Sequence, residues 1–185
     1  MSALLIRAWA LYSDGKKHIS GGAMAVDETF DSEQLSISPL DEVDAREMRE
    51  FLLGAQKNFW GDRDLSGDHD AYWFHQFVTS GLVARYRSEI VGYLLGVIPH
   101  DGPAYIHLVA ARTDFRHQGI GRHLYQYFIE HARKLGVSSV QATTMPDSSA
   151  AISFHSSLGF SGELIEDYAG AGNPRVFFEL KLLEE

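Results

Sequence analysis

Residues 116–122, with the sequence RHQGIGR, combine two closely spaced glycines with two arginines. An apolar run typical of a strand precedes them, and an amphipathic run typical of a helix starts at Gly119. The first turn of a helix offers unpaired N–H groups and the positive end of the helix dipole, and both favour an anion. Glycine lets a phosphate approach the backbone because it carries no Cβ. The stretch predicts a phosphate-binding loop; a helix start that merely carries two glycines is the alternative.

Two other phosphate-binding motifs do not fit these residues. A P-loop requires the pattern G-x-x-x-x-G-K-[ST], which the chain lacks. A Rossmann fingerprint requires a third glycine three residues after Gly121, where this chain has Leu124. The loop therefore belongs to neither of these classes.

Two histidines within apolar runs have residue types that could move protons. In the stretch AISFHSSLGF, His155 stands among apolar residues with helical spacing. In the stretch AYIHLV, strand alternation predicts that Tyr105, His107 and Val109 share one face. Imidazole titrates near pH 6.5, which suits proton transfer at neutral pH. For each histidine the alternative is a structural ring that is packed and hydrogen-bonded in the core.

The two stretches together resemble the conserved blocks of the GNAT superfamily of N-acetyltransferases, as a bacterial-type single-domain member. Residues 116–121 fit the signature Q/R-x-x-G-x-G/A of that superfamily. Residues 154–160, FHSSLGF, are similar to its second block, which usually contains Phe-Tyr and ends in Gly-Phe. The blocks stand in the expected order, separated by one predicted helix and one predicted strand. The resemblance implies an α/β fold of the α+β type: a mixed, mostly antiparallel sheet with a splayed central strand pair, flanked by helices.

The resemblance also implies acetyl-CoA as co-substrate and no metal. The pyrophosphate is then expected on the backbone amides of Arg116, His117, Gln118, Gly119, Ile120, Gly121 and Arg122. The pantetheine arm is expected to pair like a strand with Val109, Ala110 and Ala111, where a bulge opens a slot and one amide stabilises the oxyanion. Ser148 stands where the superfamily usually has an asparagine that contacts the cofactor, and it is expected to cap the following helix as well.

By the same resemblance, a neutral amine attacks the acetyl carbonyl, and a base or water relay assists it. His107, with Tyr105 beside it, occupies one of two strand positions that carry histidines in members acting on arylalkylamines. His155 replaces the tyrosine that commonly protonates the departing CoA thiolate, and it would also contact the cofactor. Tyr125 on the preceding helix is a weaker candidate for that acid.

The acceptor site is predicted in the stretch NFWGDRDLSGDHDAYWF, which is rich in carboxylates and aromatic rings. Trp60, Asp62 and Asp64, together with Tyr105, are the candidate acceptor-binding residues. The net charge of −9 also favours a small cationic amine. A solvated surface loop is the alternative for this stretch. A protein or peptide N-acetyltransferase and a non-catalytic acetyl-CoA sensor are the alternative functions.

Other functions are disfavoured by composition and spacing. The acidic balance disfavours nucleic-acid binding, and no apolar run is long enough to span a membrane. There is no cysteine, which excludes thiolate metal sites and fits a cytoplasmic protein. The run DRDLSGDHDAYW resembles a calcium loop, but its twelfth position is Trp73 rather than a carboxylate. His69 and His75 lack a third metal ligand at a suitable spacing.

The 185 residues suit one domain. We expect an N-terminal extension at 1–34 that resembles a β-hairpin, followed by the acetyltransferase domain at 35–185. From about Leu35 the predicted order is β–α–α–β–β–β–α–β–α–β, with a first helix over 41–57 capped by Asp41 and a long helix over 119–135. A homodimer, formed through the extension, is left open.

Overall fold

The computed structural model describes residues 30–41, 44–64, 67 and 69–182. The predicted N-terminal hairpin falls mainly on residues outside these ranges. Two short 3-10 turns, Ser32–Gln34 and Thr113–Phe115, accompany the regular elements. In chain order these are β1 (Leu35–Pro39), α1 (Ala45–Gly54), α2 (Gln56–Trp60), α3 (Ala71–Val78), β2 (Leu82–Tyr86), β3 (Glu89–Val97), β4 (Ala104–Ala111), α4 (Ile120–Lys134), β5 (Ser139–Thr144), α5 (Ser149–Ser157), β6 (Ser161–Ile165) and β7 (Arg175–Lys181).

The strands form one seven-stranded sheet in the order β1-β2-β3-β4-β5-β7-β6. Every neighbouring pair is antiparallel except β4 and β5, which are parallel. A parallel pair needs a crossover connection, and α4 supplies it. The predicted fold class, a mixed and mostly antiparallel sheet flanked by helices, is confirmed.

The sheet carries a separate hydrophobic cluster on each face. Helix α4 and the partly buried residues of α5 pack on one face, whereas α1, α2 and α3 pack on the other. The predicted apolar stripe of α4 is buried, since Ile120, Leu124, Phe128 and Ala132 are each at most 1% exposed. The helix that follows the predicted phosphate loop and the helices that flank the predicted acceptor loop therefore lie on opposite faces of the sheet.

Two glycines of β3 allow α4 to lie close to the sheet. A Cβ at Gly92 would stand 2.6 Å from Cγ2 of Ile120, and one at Gly96 would stand 2.8 Å from the ring of Phe128. Both distances are shorter than packed carbon atoms tolerate. The start of α4, which carries the phosphate-loop motif, is thus seated directly against the central strand.

The central strands β4 and β5 pair over only a few residues. Ala104, Tyr105 and Ile106 face Val140, Gln141 and Ala142, and no pair follows, although β4 runs on to Ala111. Beyond Ile106, β4 pairs with β3 alone. Its backbone groups on the β5 side therefore have no strand partner there, which is the predicted splay.

Three local features differ from the sequence-based expectations. The helix predicted over 41–57 is two helices, α1 and α2, and Asp44 rather than Asp41 caps the first, accepting a bond from the amide of Arg46. Strand β6 was not predicted, because its sequence SGELI does not alternate between apolar and polar residues. Its residues are exposed at nearly every position. It is the edge strand beside β7.

Candidate functional site

The phosphate-loop motif forms a bent segment that leads directly into α4. His117 and Gly119 have positive φ angles of 65° and 78°, and Gly119 is the N-cap of the helix. Glycine adopts this left-handed conformation without steric cost. The amides of residues 117–119 find no acceptor within the described part of the chain. Ile120, whose side chain is buried, anchors the first turn to the core.

Both arginines of the motif are held by neighbouring elements. Nη2 of Arg116 donates to the carbonyl of Phe59 in α2 at 3.0 Å. Nη2 of Arg122 donates to the hydroxyl of Ser157 in α5 at 2.9 Å. The segment thus combines N–H donors that have no acceptor in the described chain with two arginines held at α2 and α5. This combination suits a pyrophosphate.

A β-bulge interrupts β4 at His107. Leu95 is paired with Leu108 and Gly96 with Ile106, so that His107 is the extra residue of β4 at this point. The bulge lies two residues before the predicted position at Val109. It also corrects the predicted alternation, because Val109 packs in the cluster of α4 whereas the ring of His107 stacks on Phe77 of α3.

The exposed backbone of β4 ends in three small residues, Val109, Ala110 and Ala111. Ala110 is buried among the side chains of α1–α3, and Val109 and Ala111 pack against the opposite cluster. Their backbone edge faces the gap left by β5. A ligand arm with amide groups can add to such an edge as an extra strand does.

The two candidate base residues lie on the face of the sheet that α1–α3 cover. His107 stacks face to face on Phe77, with ring centroids 4.4 Å apart. The hydroxyl of Tyr105 is 3.0 Å from Oγ1 of Thr143 on β5, so this bond spans the two strands that separate. Burial raises the pKa of Tyr105 above its usual value, while the bond with Thr143 lowers it in part. Tyr105 is therefore a hydroxyl donor rather than a base at neutral pH.

His155 is buried and both of its ring nitrogens have partners. Nδ1 lies 2.8 Å from the carbonyl oxygen of Ala151, and Nε2 lies 2.9 Å from the hydroxyl of Tyr125. A carbonyl only accepts, so Nδ1 carries the proton and Nε2 accepts the bond from Tyr125. Burial lowers the pKa of His155 and the bond with Ala151 partly offsets this. The ring is neutral at pH 7 and has no N–H directed to a ligand.

Tyr125 is 2% exposed, and burial raises its pKa far above the usual value. Its hydroxyl proton is committed to His155. The roles predicted for His155 and Tyr125 in proton transfer stay predictions, and the geometry favours a structural pair between α4 and α5.

Ser148 is the N-cap residue of α5, as its position in the sequence indicates. Its side chain makes no capping hydrogen bond, contrary to the expectation. The hydroxyl, on a half-buried residue, is thus not used by the helix. It is available to a ligand that lies along the start of α5.

The predicted acceptor residues lie at and beyond the end of α2. The indole Nε1 of Trp60 donates to the hydroxyl of Tyr93 at 2.8 Å, and that hydroxyl also lies 3.1 Å from Nε2 of buried His69. Asp62 and Asp64 are exposed. Helix α2 contacts both β4 and the 113–115 turn. The acidic residues therefore follow a helix that borders the exposed edge of β4.

The calcium-like run 62–73 includes residues outside the described ranges. Within those ranges, no group of three or more His, Asp or Glu side chains is arranged to hold a metal ion. No described helix has both the length and the apolar character that crossing a bilayer requires. His69, one of the pair considered as metal ligands, is bonded to Tyr93 instead.

Sequence reasoning missed several residues that the fold brings to this region. Thr143 was not considered, although it bonds the candidate residue Tyr105. Phe77 and Arg175 also lie on the face that carries Tyr105 and His107. These residues come together only through contacts between segments that are distant in sequence, and local patterns do not reveal such contacts.

Comparison with known proteins agrees with this geometry. The sequence model described as the Acetyltransferase (GNAT) family matches residues 44–160, more than half of the chain. No curated protein matches the sequence significantly.

Solved structures share the fold at low sequence identity. One is the ribosomal-protein-S18-alanine N-acetyltransferase from Escherichia coli, at TM-score 0.64 and 16% identity over 82% of this chain and 96% of that one. A second is yncA from Salmonella typhimurium with its cofactor acetyl-CoA, at TM-score 0.58 and 22% identity over 82% and 96%. A third is an aminoglycoside 6'-N-acetyltransferase complexed with coenzyme A, at TM-score 0.61 and 14% identity over 81% and 98%.

Proposed function

The chain belongs to the acetyltransferase (GNAT) family, and on that premise we propose that it transfers the acetyl group of acetyl-CoA to the primary amine of a small acceptor. One observation carries this proposal: the unpaired edge of β4 continues into a loop whose amides, at residues 117–119, have no acceptor in the described chain. A ligand with an amide-containing arm and a pyrophosphate fits both halves of this surface.

The residues present fit acetyl-CoA, which supplies a thioester whose carbonyl carbon is open to attack. The loop amides and the charges of Arg116 and Arg122 would bind its pyrophosphate. The edge of Val109, Ala110 and Ala111 would hold the pantetheine arm, and the unused hydroxyl of Ser148 would contact it from α5. Gly121, where a Cβ would have only the ring of Phe154 nearby at 3.5 Å, leaves the backbone accessible.

On the acceptor side, His107 is proposed as the base. The bulge removes it from the β-ladder and the stack on Phe77 fixes its ring plane, so its position is set by packing. It would take a proton from the ammonium, directly or through water, and free the amine lone pair. The amine nitrogen would then bond to the carbonyl carbon as the carbon–sulfur bond breaks. The leaving thiolate would take up the proton that the new amide nitrogen loses, so that CoA leaves as the thiol. A backbone amide at Val109 or Ala110 would stabilise the oxyanion.

His155 was predicted to protonate the CoA thiolate, and the geometry supports a different contribution. Its bonds with Ala151 and Tyr125 fix α5 against α4. These two helices carry the proposed pyrophosphate and pantetheine contacts. His155 would therefore act as a positioning residue for acetyl-CoA.

The acceptor is proposed to be small and to arrive as an ammonium cation. The exposed carboxylates of Asp62 and Asp64 beside Trp60 support this, since they follow the helix that borders the edge of β4. Both small molecules and proteins are acceptors among the similar structures, so a protein N-terminus is the competing acceptor. We propose the cytoplasm as the location. If a second copy binds, it would pair with an edge of the described sheet, which ends in β1 and β6.

The test combines a binding measurement with an activity measurement. Acetyl-CoA should raise the melting temperature, because it binds the folded state and not the unfolded state. Thiol release should then follow the addition of at least one small primary amine from a panel of amino acids, polyamines, arylalkylamines and aminoglycosides. Turnover with peptide N-termini alone would favour the protein acetyltransferase. Tight binding without any turnover would favour a sensor, and no binding would reject the proposal.

A further inference from the structure

Arg175 lies on the same face of the sheet as the candidate residues Tyr105 and Thr143. Tyr105 is paired with Gln141, and Thr143 is paired with Phe177. Side chains of a strand alternate between faces, so Arg175 and Phe177 share one face. Val176 and Phe178 point to the opposite face, where they join the cluster of α4. Arg175 therefore faces the acceptor side.

Arg175 is the first residue of β7 and lies at the end of the sheet where β4 and β5 are separated. Strands β4 and β5 separate after Ile106 and Ala142. Strand β5 ends at Thr144, which is paired with Val176 on β7. Arg175 is one residue further in the direction in which the gap opens. Neighbouring strands are about 4.8 Å apart, so a long side chain from β7 reaches the mouth of the gap. Its charge also acts on Tyr105, whose pKa it lowers against the larger, opposing effect of burial.

Arg175 is half-buried and has no carboxylate partner among the described side chains. Its one hydrogen bond, from Nη1, goes to the carbonyl of the adjacent Pro174 at 2.8 Å. Glu179, on the same strand and face, accepts bonds from Ser139 and Gln141 instead. A partly desolvated guanidinium normally has an anionic partner. In a chain of net charge −9 carboxylates are plentiful, yet none of the described ones forms an ion pair with Arg175.

We propose that the acceptor carries a carboxylate close to its amine, and that Arg175 binds this carboxylate at the mouth of the gap between β4 and β5. The acceptor class is a free amino acid or a compound of that type. This inference rests on the proposed acetyltransferase function and refines its substrate class.

The chemistry of both groups agrees with such a zwitterion. A guanidinium binds a carboxylate through two parallel N–H···O bonds, which fix its orientation as well as its position. The hydroxyl of Tyr105, bonded to Thr143 in the same region, borders the place where the amine would meet the thioester. The acidic residues Asp62 and Asp64 match the ammonium group. A peptide N-terminus has an amide in place of this carboxylate and would leave Arg175 without a partner.

The test uses matched acceptors that differ only at the carboxylate. Free amino acids and their α-carboxamides are compared as pairs by thiol release from acetyl-CoA. We expect kcat/KM for the preferred acid to exceed that of its amide by about tenfold or more, the usual range for a charged hydrogen-bond pair. In Arg175→Gln, KM for the acid should rise about 10- to 100-fold, while KM for the amide and for acetyl-CoA stays unchanged. Equal turnover of acid and amide would overturn the proposal.

Two variants control for charge and folding. Lys181→Gln removes a cation from the same face of β7, where Lys181 is exposed, and should leave both acceptors unaffected. Arg175→Lys keeps the charge without the paired N–H groups and should recover part of the loss. If Arg175→Gln lowers activity equally on acid and amide, Arg175 supports the fold and the proposal is wrong.

If no acceptor is turned over, the proposed acetyltransferase function is rejected. A binding measurement then tests the carboxylate site by itself. N-acetyl amino acids are then titrated calorimetrically into the protein with saturating CoA. Binding to wild type that weakens in Arg175→Gln supports a carboxylate site. Absence of binding, or equal binding to both proteins, overturns it.

Discussion

The hydroxyl of Tyr125 lies 2.9 Å from Nε2 of His155, and both residues are buried between α4, α5 and the sheet. His155 stacks on Phe178 of β7 with ring centroids 4.3 Å apart. The histidine that breaks the apolar pattern of α5 is thus a fully bonded member of the core. It joins α4, which begins at the phosphate-loop motif, to α5, which follows β5.

Replacing His155 with phenylalanine should destabilise the protein. Phenylalanine keeps the stack on Phe178 but leaves the buried hydroxyl of Tyr125 without an acceptor, which costs about 1–3 kcal/mol. The double variant His155→Phe/Tyr125→Phe removes both polar groups and should recover part of that loss. Urea unfolding of wild type, both single variants and the double variant measures the coupling. Strictly additive effects would show that the bond is absent in solution.

The same pair predicts a pH dependence of stability. Burial lowers the pKa of His155 in the folded state, while the unfolded chain takes up the proton near pH 6.5. The unfolded state then binds more protons, so the free energy of unfolding falls as the pH drops below about 6.5. His155→Phe should show a smaller loss over the same pH range. An unchanged pH profile in that variant would contradict the assignment.

Replacing His107 with alanine should lower kcat by about 10²-fold, the usual contribution of a general base. Because a base acts on the acceptor, KM for acetyl-CoA should change little. Phe77→Leu is the matched comparison: it removes the ring stack but leaves the imidazole in place, so kcat should fall less than in His107→Ala. A decrease below about threefold would make His107 a packing residue.

Much of the fold followed from sequence because its patterns are local. The apolar stripe of α4 depends on side-chain period alone, and β2 and β3 are apolar runs that are buried on both faces. Strand β6 escaped prediction because it is exposed at the sheet edge and held by backbone bonds to β7. The break between α1 and α2 at Ala55 follows Gly54, whose low helix propensity is the local signal for it.

The site was predictable only where its residues are close in sequence. The loop 116–122 carries its own glycine spacing. The bulge at His107, the bond between Tyr105 and Thr143, and the place of Arg175 depend on strand register between distant segments. A bulge reverses the alternation after it, which is why the face of Val109 was mispredicted.

The two left-handed glycines at the ends of α4 allow a matched comparison. Gly119 and Gly136 have φ angles of 78° and 76°. Alanine at either position should destabilise the chain by about 1–2 kcal/mol, the cost of a left-handed residue with a Cβ. Gly119→Ala alone should also raise KM for acetyl-CoA, by about tenfold if the loop amides are displaced. Equal KM values for acetyl-CoA in the two variants would show that the loop does not bind the cofactor.

Neutralising the acidic residues beyond α2 should weaken acceptor binding. In Asp62→Asn/Asp64→Asn, we expect KM for the ammonium acceptor to rise several-fold at low salt. The difference from wild type should shrink at high ionic strength, because exposed charges are screened. Asp101→Asn, at an exposed residue of the β3–β4 connection, is the control and should have no effect. A rise in KM that is independent of salt would point to lost local structure instead.

The most direct test of the account follows an isotope-labelled acetyl group from acetyl-CoA by mass spectrometry. The protein is incubated with labelled acetyl-CoA and the panel of primary amines, and released thiol is measured in the same samples. The account predicts labelled acetyl on the nitrogen of a small acceptor, in equal amount to the thiol and dependent on His107. Bound acetyl-CoA with no labelled product from any amine or peptide would contradict it.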